Sequence, residues 1–435
     1  MNLSSANLNR RQFLAGGSMA VSGLAAAASG NFPKGFLWGA ATAAHQVEGN
    51  NVNSDVWVLE HVKPTMYAEP SGDACDHYHR YRDDIRVLAS LGFNTYRFSI
   101  EWARIEPEKG LFSNAELEHY RRMLGTCREN NLTPMVTFYH FTMPRWLAAM
   151  GGWENDETVD LFARYCERSA KHLGDLISIA STLNEPNVPA LLNWIPQFRS
   201  RGANQAEVFS AAARAVGSDR FASMLFGATD KTGNNLIAAH HRGLAAMKSG
   251  PGKYPIGVNL AMADDQRVGP DSRRDEKRQA VYGPWLAAAA KSDYIGVQTY
   301  TRSRVGNEID LPPEQGVELT DMGYEFWPEA LEQTIRYVHE KAKVPVYVTE
   351  NGVATENDSR RVEYIRRALS GVENCLRDGI DVRGYVHWSM FDNFEWIFGY
   401  RPKFGLIAVN RETQERTVKP SARYLGEIAR RNSLS

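Results

Sequence analysis

Eight short runs rich in apolar, β-branched or aromatic residues recur along the chain: FLWGAAT (36–42), FNTYRFSI (93–100), LTPMVTFYH (132–140), ISIASTLNE (177–185), YPIGVNL (254–260), YIGVQTY (294–300), VPVYVTE (344–350) and VRGYVHWSM (382–390). Each has the length of a strand, and several are too evenly apolar to leave one face in water. Between them lie stretches such as 76–92, 114–131 and 359–379, whose apolar residues fall at helical spacing and which close on Gly or Asn. Strand alternating with helix eight times predicts an α/β fold, a single (β/α)8 TIM barrel running from residue 31 to 432.

Length alone would allow two or three domains for 435 residues, but barrels of this kind exceed 250 residues as one unit. Hydrophobic content of 43% and aromatic content of 11% suit a large core and argue against disorder. The formal net charge of -1 supplies no field toward nucleic acid or an acidic membrane. Four cysteines, at 75, 127, 166 and 375, contain no CxxC pair, so free packed thiols are expected. No nucleotide loop is present, so no cofactor is expected. His77 and His79 lie two apart on a helix and face different ways, which argues against a metal there. In DSRRDEKR (271–278) acids offset bases, as in a solvated segment.

The N-terminus reads as an address. Asn9-Arg10-Arg11-Gln12-Phe13-Leu14 precedes a weakly apolar run from Ala15 to Ala28. That pattern predicts a twin-arginine-type signal peptide over 1–28, with the twin-arginine export machinery as a partner and a periplasmic or secreted location. The run is too short and small-residued to span a bilayer well, so no stable membrane insertion is expected. Without a working signal the protein would be cytoplasmic.

In a (β/α)8 barrel the active site is built where the strands end, so the last residues of each run carry the functional information. Those ends are polar and aromatic: Gln46 and Glu48, Arg97 and Glu101, His140, Asn184 and Glu185, Tyr300, Glu350 and Asn351, Trp388. Glu185 closes the fourth run and Glu350 the seventh, three strand-helix units apart, which places them on opposite walls of one cavity. Two carboxyl groups across a cleft are what glycoside hydrolysis requires, one protonated for the leaving group and one ionised to attack. Aromatic faces for sugar rings stand beside them.

Six ordered motifs carry a wider likeness: FLWGAATAAHQVEG (36–49), YRFSIEWARIEP (96–107), STLNEPNV (181–188), TDMGYEFWPEAL (320–331), YVTENGVA (347–354) and HWSMFDNFEWIFGYRPKFGL (387–406). From Phe32 to about Leu425 the chain resembles glycoside hydrolase family 1, the β-glucosidase-type retaining enzymes. The resemblance implies that Glu185 is the general acid/base and Glu350 the nucleophile of a glycosyl-enzyme intermediate. It implies that Arg97 and Tyr300 depress the pKa of Glu350, and that Asn184 is aimed at the sugar's 2-hydroxyl. Gln46, His140, Asn184, Trp388, Glu395 and Trp396 match the family's glycone-binding positions. The expected substrate is a β-D-glucosyl oligosaccharide or an aryl or alkyl glycoside, cleaved at its nonreducing end. A β-galactosidase, β-fucosidase or transglycosylase would use the same two steps, and a noncatalytic sugar-binding barrel would lack one of the glutamates.

Some positions depart from the family pattern. Where the family has HWDLP this chain has HFTMP (140–144), so Phe141 replaces a Trp whose N–H would donate to a sugar hydroxyl. Losing one such bond costs about 0.5 to 1.5 kcal/mol, enough to retune preference among glucose, galactose and fucose. VQTY (297–300) stands for INYY, changing Gln298 and Thr299, and NWIPQFRS (193–200) does not follow the family loop. The stretch from Ala261 to Lys291 is short. All three departures are expected on the leaving-group side of the cleft. Glu395, with Phe404 where phosphosugar enzymes place a tyrosine, argues for an unphosphorylated sugar.

Overall fold

In the computed structural model, residues 32–199, 202–226 and 229–435 are described. The signal reading at 1–28 lies outside them. All eight expected runs are strands: β1 (Leu37–Ala41), β2 (Thr95–Ser99), β3 (Thr133–Tyr139), β4 (Ile179–Asn184), β5 (Ile256–Arg267), β6 (Tyr294–Val305), β7 (Val346–Asn351) and β8 (Val382–Trp388). They pair in parallel in chain order, and β8 returns to β1 to close the barrel. Every residue of β2, β4 and β7 is buried, because helices cover the outer face and neighbouring strands fill the lumen.

The helices form where apolar spacing predicts them, as in His77–Ser90, Asn114–Glu129 and Asp358–Arg377. The starts of the last two are capped: the Ser113 hydroxyl accepts from the Glu116 N–H, and the Asn357 side chain accepts from the Ser359 N–H. Between the cap and the last turn, residues such as Leu117, Tyr120, Met123, Leu124 and Cys127 line one buried face. The two ends of the barrel are tied together. Phe32 N–H donates to the Asn432 carbonyl at 2.9 Å, and the Trp38 indole donates to the Asn432 side chain at 2.9 Å.

The four cysteines are free and buried, as expected. His77 donates or accepts with Asp84 at 2.8 Å and Tyr96 at 3.0 Å, which occupies both ring nitrogens in the core. A short antiparallel pair, β9 (Ile407–Val409) and β10 (Arg416–Val418), was not legible as strand because each is three residues long.

Above the rim the strands run further than expected. Strands β5 and β6 each run 12 residues, five or more beyond the apolar part, and stay paired from Ala261↔Gln298 up to Arg267↔Val305. They rise as a ribbon above the rim. The segment 271–278 is solvent-facing at the start of the helix Arg274–Val281, as expected, but that helix packs on this ribbon and buries Lys277 completely. The Lys277 ammonium lies 2.7 Å from Asp265 and 2.7 Å from Asp310. A strand of polar residues can thus be buried, provided its carboxylates find a cation.

That cluster makes a direct stability prediction. Lys277→Met leaves Asp310 buried without its cation and Asp265 with Arg278 alone at 3.6 Å, which should cost about 3–5 kcal/mol. A urea titration should show a lower midpoint with little change in slope. An unchanged midpoint would mean that the cluster contributes nothing to folding.

Candidate active site

The ends of β3, β4, β6, β7 and β8 converge on a cavity of about 470 Å³, lined among others by His140, Phe141, Asn184, Glu185, Gln298, Tyr300, Glu350, Trp388, Glu395 and Trp396. Its size is that of a small-ligand site. At its floor the Glu350 carboxylate receives three donors. Arg97 Nη1 donates to Oε1 at 2.6 Å, Gln298 Nε2 donates to the same oxygen at 2.9 Å, and the Tyr300 hydroxyl donates to Oε2. Arg97, 1% exposed on β2, also donates through Nη2 to Asn184 Oδ1 at 2.5 Å.

Asn184 is locked by these bonds. Its Oδ1 accepts from both Arg97 and Gln298, so its Nδ2 must point the other way, where it donates to His140 Nε2 at 3.2 Å. The imidazole proton therefore sits on Nδ1, which has no partner among the described residues. Burial and the nearby Arg97 charge hold His140 well below its ordinary pKa, so it stays neutral. Its ring lies nearly parallel to both Trp388 and Trp396.

Glu185 is treated differently. It follows Asn184 directly, half-buried, with φ at 45° and its backbone N–H donating to the Asn259 carbonyl at 2.9 Å. Positive φ costs a non-glycine residue about 1–3 kcal/mol and is held by surrounding structure. Phe141 and Trp396 share this conformation, at 69° and 48°. Among the described residues no donor is bonded to the Glu185 carboxylate. Burial first, and the Glu350 charge second, push its pKa well above the carboxylate range.

Burial raises the Glu350 pKa most and the net direction is upward, although Arg97 and Tyr300, joined by Gln298, lower it as expected. The first proton shared by the pair settles on Glu185, whose carboxyl has no donor among the described residues, rather than on Glu350, which has three. Glu395 is pushed up to about 8 by burial and then by Glu350, against hydrogen bonds from Trp388 and Gln46.

Other rim residues separate. Gln46 is wholly buried beside Glu395, donating to the Phe394 carbonyl at 2.7 Å and leaving Oε1 without a partner among the described residues. Glu48 turns outward to Arg104 and the Tyr120 hydroxyl, and Glu101 accepts from Thr142 at 2.7 Å. Asn351 donates to the Thr299 carbonyl at 2.6 Å, fixing the loop after β7. The glycine after it is forced, since a Cβ on Gly352 would come within 2.0 Å of the Trp388 carbonyl.

The residue that sequence reasoning placed wrongly is Gln298. It was expected on the leaving-group side, yet its Cα pairs with that of Glu350 and its amide bridges Glu350 and Asn184. The departure from the usual motif was the available signal. A β-bulge between β6 and β7 at this point turns the side chain inward.

The model of glycosyl hydrolase family 1 matches residues 28–281 and 280–434. The chain belongs to that family. The enzyme is 31% identical to beta-glucosidase A of Thermotoga maritima, over 93% of this chain and 98% of that protein. Among solved structures it superposes on a beta-glucosidase designated 1317 with a TM-score of 0.89 and 51% identity, covering 91% of this chain and 98% of that one. On beta-glycosidase BGL167 the TM-score is 0.88 at 53% identity, covering 92% and 98%. It is a glycoside hydrolase.

The unequal carboxylates predict a coupled titration. Glu350→Gln removes the charge that opposes ionisation of Glu185, so the Glu185 pKa should fall. Titration of 13C-labelled glutamate side chains measures it. An unmoved Glu185 would mean that burial alone raises it.

Proposed function

We propose that the enzyme is a retaining β-glycosidase that releases the nonreducing terminal β-D-glucosyl residue of oligosaccharides or of aryl and alkyl glycosides. The observation that carries this reading is the asymmetry between two glutamates in one cavity. Glu350, with three donors, stays ionised and attacks the anomeric carbon. Glu185, without a donor and beside that charge, keeps a proton and gives it to the departing oxygen. Once the leaving group has gone, Glu185 is ionised and takes a proton from the water that hydrolyses the glycosyl ester. Arg97 and Tyr300 hold Glu350 in place throughout.

The glycone end is built for hydroxyls and an apolar ring face. Trp388 and Trp396 offer aromatic surface, Glu395 can bond two adjacent hydroxyls, and Gln46 Oε1 and His140 Nδ1 are buried polar atoms without partners among the described residues. Asn184, oriented by Arg97 and Gln298, presents its amide toward the 2-hydroxyl. Glu395 with its raised pKa is a weak barrier to phosphate. The preference for an unphosphorylated sugar rests instead on Phe404, which packs edge-on against Tyr300 at 5.8 Å, and on Lys403, whose ammonium is bonded to the Tyr400 carbonyl. Phe141 packs edge-on against Trp396 at 5.2 Å and supplies no N–H, which leaves room for galactosyl or fucosyl substrates as a second activity.

Export through the twin-arginine route to a periplasmic or extracellular site fits the motif at 9–14 and a chain with four free cysteines. No helix among the described residues is long and apolar enough to cross a membrane. Arg10→Lys with Arg11→Lys should leave the protein in the cytoplasm with its signal uncut. Unchanged fractionation would remove the export reading.

Two rates test the mechanism. Glu185→Gln should lose about 10²–10⁴-fold on alkyl β-glucosides, whose leaving group needs a proton, and far less on dinitrophenyl β-glucoside, whose leaving group does not. A 2-fluoro β-glucoside with a good leaving group should add its sugar mass to a peptide containing Glu350. Equal losses on both substrates, or a label elsewhere, would reverse the assigned roles.

A further inference from the structure

The segment directly after Glu185 has an unusual surface. Val188, Leu191 and Leu192 fall at i, i+3 and i+4 on the helix Val188–Leu192, Ile195 follows in the turn beyond it, and all four line the cavity. None of the residues of the helix Val188–Leu192 is fully buried. Val188 and Leu191 touch the core on one side, yet the stripe keeps an apolar border to the cavity next to the carboxyl that protonates the leaving group.

The facing wall is of the same kind. Leu311, 38% exposed, stands with Pro312 and Pro313 on the loop that follows β6. That loop is fastened to the stripe, since Asp310 N–H donates to the Trp194 carbonyl at 3.0 Å, and Lys277 holds Asp310 from behind. The two apolar surfaces thus form one rigid mouth.

Polar groups on this wall are already engaged. Arg302 donates to Glu325, Glu314 and Gln266, and its guanidinium lies 3.7 Å from the centre of the Trp327 ring. Ser303 donates to Asp310 at 3.0 Å, and Arg304 donates to the Pro312 carbonyl at 3.2 Å. Arg273 covers Trp194 in the same way. Among the described lining residues the tryptophans are Trp388 and Trp396, both at the glycone end. A second sugar would need several free hydrogen-bonding groups, and on this wall Arg302, Ser303 and Arg304 are paired with protein, while Phe226 and Tyr324 add aromatic surface to the mouth.

We infer that the leaving-group site selects an extended apolar, non-sugar aglycone, alkyl or polycyclic, over a further sugar residue. This rests on the reading of the cavity as a β-glycosidase site and names which of its substrates it favours. Each aglycone methylene buried between the stripe and the Leu311–Pro313 wall strengthens binding by up to about threefold to fourfold.

The test compares kcat/KM for octyl and butyl β-D-glucoside, both below micellar concentration, and for cellobiose. Octanol and butanol leave with the same intrinsic ease, so their ratio reads the apolar mouth alone. The expected result is octyl over butyl by at least about tenfold, with cellobiose below both, and an octyl-to-butyl ratio that falls in Leu191→Asn. The wild-type ratio is decisive even if that variant folds poorly. A ratio near one, or cellobiose as the better substrate, overturns the inference while leaving the glycosidase reading intact. Absence of turnover on p-nitrophenyl β-glycosides as well would overturn the glycosidase reading itself.

Discussion

The Arg97 guanidinium is the buried charge on which the catalytic floor depends. Rising from β2, it reaches Glu350 at the end of β7 and Asn184 at the end of β4, so one planar cation links three strands of the barrel. A cation this deeply buried would be costly alone, and so would the Glu350 carboxylate it meets. Each makes the other tolerable. Gln298 then closes the circuit by donating to both of Arg97's acceptors, which fixes the Asn184 amide in one orientation and, through it, the tautomer of His140.

From that circuit the division of labour follows. A carboxylate surrounded by donors keeps its charge, and its charge in turn keeps the proton on the neighbour that has none. Burial acts on Glu185 and Glu350 alike and cannot by itself tell them apart. What separates them is hydrogen bonding, and that depends on β2, β6 and β7 arriving at one point with their side chains turned inward. The left-handed backbone at Glu185, Phe141 and Trp396 belongs to the same economy of position, with strain held by the closed barrel behind it.

The outer half of the cavity obeys a different constraint. Above the rim there is no ring of strands to enforce geometry, so β5 and β6 continue as a ribbon whose polar face is pinned by Lys277. This ribbon carries the loop that faces the Val188–Ile195 stripe. An ion cluster buried far from the reacting carbon thereby shapes the leaving-group site, and apolar surface is left bordering the cavity.

The sequence by itself determined the eight strands, the closing of the barrel and the convergence of Glu185, Glu350, Arg97, Asn184 and Tyr300, because burial on both faces leaves parallel strands one period and one usable end. The same reading missed what sits above that end. Polar residues such as Asp265 and Asp310 look solvent-facing until Lys277 is known to reach both, and Gln298 looks like a leaving-group residue until the bulge between β6 and β7 turns it toward Glu350. Partners brought from another element, and the one-residue shift that decides which way a side chain points, are not local properties of the chain. Those were settled only by the tertiary structure, where long-range ion pairing and strand register override the pattern of neighbouring residues.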